Sequence, residues 1–148
     1  MWHRRIAAAA CALAAVWTWR IADLHGVQAP AAQEPSEIYK SVFSGWIAWH
    51  TFCYRCHGMN AAGPTTLGPS LIAPNSRLTS AEFLTKVKSS TSHKGMQAGN
   101  KPLDDKRIAE IYAYVEARAD KLLPPGRPDE AGPNGGRWVP PEGWPKKN

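Results

Sequence analysis

Cys53-Tyr54-Arg55-Cys56-His57 is the most telling run of residues in the chain. Two cysteines three positions apart, followed at once by a histidine, form the attachment pattern of a c-type haem. The spacing has a chemical reason. Each thiol can add across one haem vinyl group, and one helical turn brings both sulfurs to the same porphyrin edge. The next residue then projects its imidazole under the ring as the proximal iron ligand. A Cys-x-x-Cys pair also occurs as a redox dithiol or as half a zinc site. A closed zinc site needs two further ligands, but the only other cysteine is Cys11, and His50 and His93 are scattered rather than paired. A thioredoxin-like dithiol would sit in a strand–helix–strand alternation, and none is legible here. The pattern therefore implies one haem c, attached through Cys53 and Cys56, with His57 on the iron.

Toward the N-terminus, Ser36 is a good helix N-cap with Glu37 in the first turn. Ile38, Val42 and Trp46, with Phe43, Ile47 and Trp49 nearby, follow at helical spacing and form a core face. Gly45 interrupts that helix at a cost of about 1 kcal/mol relative to alanine, so it needs a packing reason. Beyond His57, Gly58 to Pro64 reads as a loop, and Gly68-Pro69-Ser70-Leu71 as a second turn. Thr79 or Ser80 caps a further helix, with Glu82 early and Phe83, Leu84 and Val87 as its apolar side. That helix ends in the polar run Ser89–Ser92. A glycine-flanked loop, His93-Lys94-Gly95-Met96-Gln97-Ala98-Gly99-Asn100, precedes the last helix. There Asp104 is the natural cap, and Ile108, Ile111, Tyr112 and Val115 form one amphipathic face.

From about Ser36 to Asp120 these features resemble a class I c-type cytochrome, the small monohaem electron carrier. In that family a glycine eight residues before the first haem cysteine lets the terminal helices cross closely, and an aromatic four before it packs at the crossing. Gly45 and Trp49 hold those offsets from Cys53. Tyr114-Val115 resembles the aromatic–aliphatic pair that meets them. Gly68-Pro69-Ser70-Leu71 is similar to the family's Gly-Pro-x-Leu loop, which implies that the Pro69 carbonyl accepts a hydrogen bond from the ligand imidazole and makes it more basic. The resemblance also implies Met96 as the second axial ligand, a thioether that favours ferrous iron. The usual proline after that methionine is Gln97 here. His93 is the rival ligand and would give a lower-potential bis-histidine iron; Met59 is too near His57 to reach the opposite face. The implied fold is all-α, three main helices and loops wrapped around one haem, with Cys53, Cys56, His57, Pro69 and Met96 as its binding set.

Residues 1–29 read as a signal peptide. His3, Arg4 and Arg5 start it, Ile6 to Trp17 is an apolar run too short for an ordinary span, and cleavage fits after Ala29 or Ala31. An uncleaved anchor, giving membrane contact, is the alternative. Without residues 1–29 the chain keeps 15 basic and 11 acidic residues, a balance too mild and too dispersed for nucleic acid. Residues 30–35 read as a linker, 36–123 as the cytochrome domain and 124–148 as a Pro/Gly-rich tail without periodicity. The tail is either floppy or an extended strap anchored by Trp138 and Trp144.

The function implied is one-electron transfer in the periplasm, without bond chemistry on a substrate. With His57 and Met96 both bound, iron keeps no open position. A haem enzyme or gas sensor with a labile sixth ligand is one alternative, and a haem subunit fixed in a larger complex is another. The run from Tyr114 to Pro128 is similar to the ends of cytochromes that accept electrons from quinoprotein alcohol or methanol dehydrogenases. That likeness suggests such a donor, with a terminal oxidase or another cytochrome as acceptor. Lys86, Lys88, Lys94 and Lys101, near the Met96 loop, are candidates for steering an acidic partner.

Overall fold

Ser36 opens the first helix as its position predicts: its Oγ accepts the Tyr39 N–H at 3.1 Å, satisfying one of the donors a helix start leaves bare. The computed structural model describes residues 34–63, 67–91 and 103–145. Helix α1 spans Glu37–Phe52 and α2 is the single turn Tyr54–His57. Helix α3, Ser80–Thr91, is started by a reciprocal capping box in which Glu82 accepts the Thr79 N–H at 2.8 Å and Thr79 Oγ1 accepts the Glu82 N–H at 3.3 Å. Helix α4, Asp105–Ala119, begins where the Asp104 carboxylate accepts the Arg107 N–H at 2.6 Å. No strand occurs among the described residues, and the fold is all-α as expected.

The crossing of α1 and α4 organises the core. A Cβ at Gly45 would overlap the Glu110 carbonyl oxygen and lie 2.5 Å from its carbon and 3.1 Å from Tyr114 Cβ. The two backbones therefore meet where only hydrogen fits, which is the packing reason that the glycine needs. Val42, Trp49, Ile108, Ile111 and Tyr114 are buried around this point. Trp49 stacks obliquely on Tyr114 at 5.9 Å between ring centroids, and its indole N–H donates to the Gly58 carbonyl at 2.9 Å. Helix α3 leans on the other side of α4 through Phe83 and Tyr112, 5.5 Å apart.

The C-terminal residues through 145 form the strap. Trp138 and Trp144 are 4% and 7% exposed and meet edge to face at 5.8 Å. Each indole N–H finds an acceptor just after α4: Trp138 donates to the Leu122 carbonyl and Trp144 to Asp120 Oδ2, both at 2.9 Å. The Arg127 and Arg137 guanidinium groups lie over Trp46 and Tyr39 of α1, each 5.3 Å from the ring centroid. A segment without periodicity is thus fixed by two buried aromatics and two cation–π contacts rather than by regular structure.

Candidate haem site

The site begins where α1 runs out. The Cys53 N–H still bonds the Trp49 carbonyl at 2.8 Å, and the Cys53 carbonyl then accepts from the amides of Cys56 at 3.2 Å and His57 at 3.0 Å. One turn therefore carries both sulfurs and the imidazole, as the three-residue spacing requires. Burial, with the Cys56 thiol adding to it, pushes the Cys53 thiol up to about 12. A redox dithiol needs the opposite, a lowered thiol pKa. Among the described residues no group of three or more His, Cys, Asp or Glu could hold a metal ion; His93 lies outside them.

His57 is buried, 9% exposed. Its Nδ1 lies 2.9 Å from the Pro69 carbonyl oxygen. A carbonyl can only accept, so Nδ1 carries the proton and donates, and Nε2 keeps its lone pair for a metal. Gly68 makes the approach possible, since a Cβ there would sit 2.6 Å from the Cys56 carbonyl oxygen and 2.9 Å from His57 Nδ1. The loop between histidine and proline is closed by its own backbone: Gly63 N–H to the His57 carbonyl at 3.0 Å, and Leu71 N–H to the Ala61 carbonyl at 2.9 Å. Trp49 backs the imidazole with ring centroids 6.1 Å apart.

Cys53, Cys56, His57 and Pro69 thus come together; Met96 and its rival His93 lie outside the described residues, as do Lys94 and Lys101. His50 is a packing residue, with Nδ1 2.8 Å from the Trp46 carbonyl. Met59 is 64% exposed. Lys88, one of the four lysines expected to steer a partner, forms an ion pair with Asp105 at 2.5 Å. Sequence reasoning missed Arg118, which is 8% exposed. It donates from Nε to the Asn60 carbonyl at 3.4 Å and from Nη1 to the Leu123 carbonyl. No local pattern announces a residue whose partners are distant main-chain oxygens.

Two thiols and an oriented, buried imidazole on one turn fit a covalently held haem. Set beneath two helices that cross at a glycine, that turn defines a class I c-type cytochrome domain. Over residues 30–115 the sequence matches the family described as cytochrome c oxidase, cbb3-type, subunit III, and the chain belongs to that family. The cofactor of such cytochrome c domains is covalently attached haem c, and their work is electron transfer with redox partner proteins. No curated protein and no solved structure matches the chain.

Proposed function

We propose that this chain is a one-electron carrier working outside the cytoplasm, with Cys53 and Cys56 as the thioether tethers and His57 and Met96 as the axial ligands. The observation that carries the reading is the His57 Nδ1–Pro69 carbonyl contact of 2.9 Å, made beside two thiols on the same turn. Haem c supplies a one-electron iron couple when bound. The chain's own residues do the rest. The Cys53 and Cys56 sulfurs fix the porphyrin edge. The Pro69 carbonyl holds the proton on Nδ1 and makes Nε2 a stronger donor. The packed α1–α4 crossing backs His57 through Trp49, and Met96 would supply a second iron ligand that leaves exogenous ligands no place. A periplasmic quinoprotein dehydrogenase is the proposed donor, and a terminal oxidase or another cytochrome the acceptor. Export follows from the apolar segment at residues 6–17. No helix among the described residues is long and apolar enough to cross a membrane.

A second reading is a haem subunit fixed in a larger redox complex, and the description of the matching family favours it. Purification from membrane and periplasmic fractions separates the two, because a shuttle is recovered alone and a fixed subunit with its partners. The carrier reading itself is tested on purified holoprotein by redox titration and by addition of imidazole or peroxide. A single reversible one-electron couple and a ferric spectrum slow to change support it. Rapid ligand capture or peroxide turnover would favour the haem enzyme or sensor.

A further inference from the structure

Arg118 stands in the interior, and among the described residues no protein carboxylate pairs with it. Arg77, Arg107 and Arg127 each face one, Asp120, Glu110 and Asp129 respectively. Among the described residues Arg118 bonds only main-chain oxygens, those of Asn60 and Leu123, while 8% exposed. Burial pulls its pKa below the usual guanidinium value, but arginine starts so far above neutrality that it stays charged. Asn60 is three residues beyond His57, in the loop that runs on to Pro69, and its side-chain oxygen accepts the Gly126 N–H at 3.3 Å. Tyr114, whose buried hydroxyl has no hydrogen-bond partner among the described residues, interacts electrostatically with this cation and packs on Trp49, which backs the imidazole.

A buried cation with no protein carboxylate beside it among the described residues opposes a further gain of positive charge nearby, and oxidation of the iron is such a gain. The low dielectric and the absence of mobile counter-ions let that opposition act over longer distances than at a surface. We propose that Arg118 is a positioning and charge-setting residue of the haem site: it pins the loop after His57 at Asn60 and, through its buried charge, biases the iron toward the reduced state. The inference rests on the carrier reading above. The helix end alone does not require this arrangement, since a C-terminal cation can satisfy the last carbonyls from the surface.

The experiment compares the midpoint potentials of wild-type, Arg118→Gln and Arg118→Lys holoproteins, each first checked for covalent haem and an unchanged ferric spectrum. Removing the charge in Arg118→Gln should make reduction about tenfold less favourable, which for a one-electron couple is about 59 mV. The shift should be insensitive to ionic strength, and Arg118→Lys should restore most of it. A potential unchanged in Arg118→Gln overturns the inference, and so does an equal fall in both variants, which would assign the effect to loop geometry. Should Arg118→Gln fail to accumulate with haem, Arg118→His titrates the charge within one protein. Its potential should then fall between pH 5 and 8 by more than the wild type's, and a parallel pH profile overturns the inference. Absence of covalent haem in the wild type would instead sink the carrier reading itself.

Discussion

Replacing Gly45 tests the helix crossing on which the whole site hangs. In Gly45→Ala two effects oppose each other. Alanine is the better helix former by about 1 kcal/mol. Its Cβ, however, would overlap the Glu110 carbonyl oxygen and stand 2.5 Å from the carbonyl carbon. The obstacle is backbone in the middle of α4, so it cannot swing aside as a side-chain tip would. Overpacking of this kind costs about 1–3 kcal/mol, and a backbone obstacle places it at the upper end. The net loss is then about 2 kcal/mol for alanine, and about 3–4 kcal/mol for Gly45→Val, which adds two methyl groups and a poorer helix propensity. For a folded unit of this size 1 kcal/mol is about 4 °C in Tm. The expected falls are therefore roughly 8 °C and 12–16 °C. Far-UV circular dichroism of holoproteins during heating, with a guanidinium series for the free energies, measures both. A Gly45→Ala protein as stable as the wild type, or more stable, would show that propensity wins and that the two backbones are not in contact at this point.

Three further outcomes are expected. Met96→Ala should abolish the weak long-wavelength ferric band of sulfur ligation and let imidazole bind readily, while His93→Ala leaves the band in place; exchanged outcomes would make the iron bis-histidine. Trp138→Ala should destabilise the fold by about 3–5 kcal/mol, the usual range for a buried aromatic truncated to alanine, and Trp144→Ala by a comparable amount; denaturant melts unchanged from the wild type would show that the strap adds nothing. Glu116 has its pKa raised by burial first and by the Asp120 carboxylate next. The fold therefore prefers its protonated form, and stability is lost as pH rises from the ordinary carboxyl value through the raised one. Glu116→Gln should gain stability over the wild type from pH 4 to pH 7, and a constant difference across that interval would contradict the assigned cause.

The turn that brings Cys53, Cys56 and His57 together was legible in the sequence because its determinants are local, whereas Met96 lies outside the described residues. The haem turn depends on Cys53, Cys56 and His57 within five residues, and a single helical turn has one way to present them. Gly45 and Trp49 were readable through the resemblance to class I c-type cytochromes, whose offsets from the first haem cysteine they hold. Ser36 and Asp104 cap through bonds spanning three residues, which a reader of one strand of sequence can find. What escaped was non-local. Arg118 reaches Asn60 across 58 positions, and Lys88 pairs with Asp105 once α3 has turned back on α4. Sequence order showed that lysine as part of a basic cluster, and only the fold hands it an acidic neighbour. The strap was undecidable for a related reason. Extended segments carry no period, so Trp138 and Trp144 looked alike whether anchored or adrift until their indole N–H groups were seen at Leu122 and Asp120.

The carrier role depends first on Cys53 and Cys56 being bonded to one haem with His57 as an iron ligand. Intact-mass spectrometry of the protein produced in a host that matures c-type cytochromes, under denaturing conditions that strip any non-covalent haem, tests this most directly. The wild type should carry the mass of one haem, and Cys53→Ala and Cys56→Ala should each fail to give the stable doubly attached product. A wild-type chain at its bare polypeptide mass with two reactive thiols would rule out covalent haem, and normal covalent haem in either variant would rule out attachment through both cysteines.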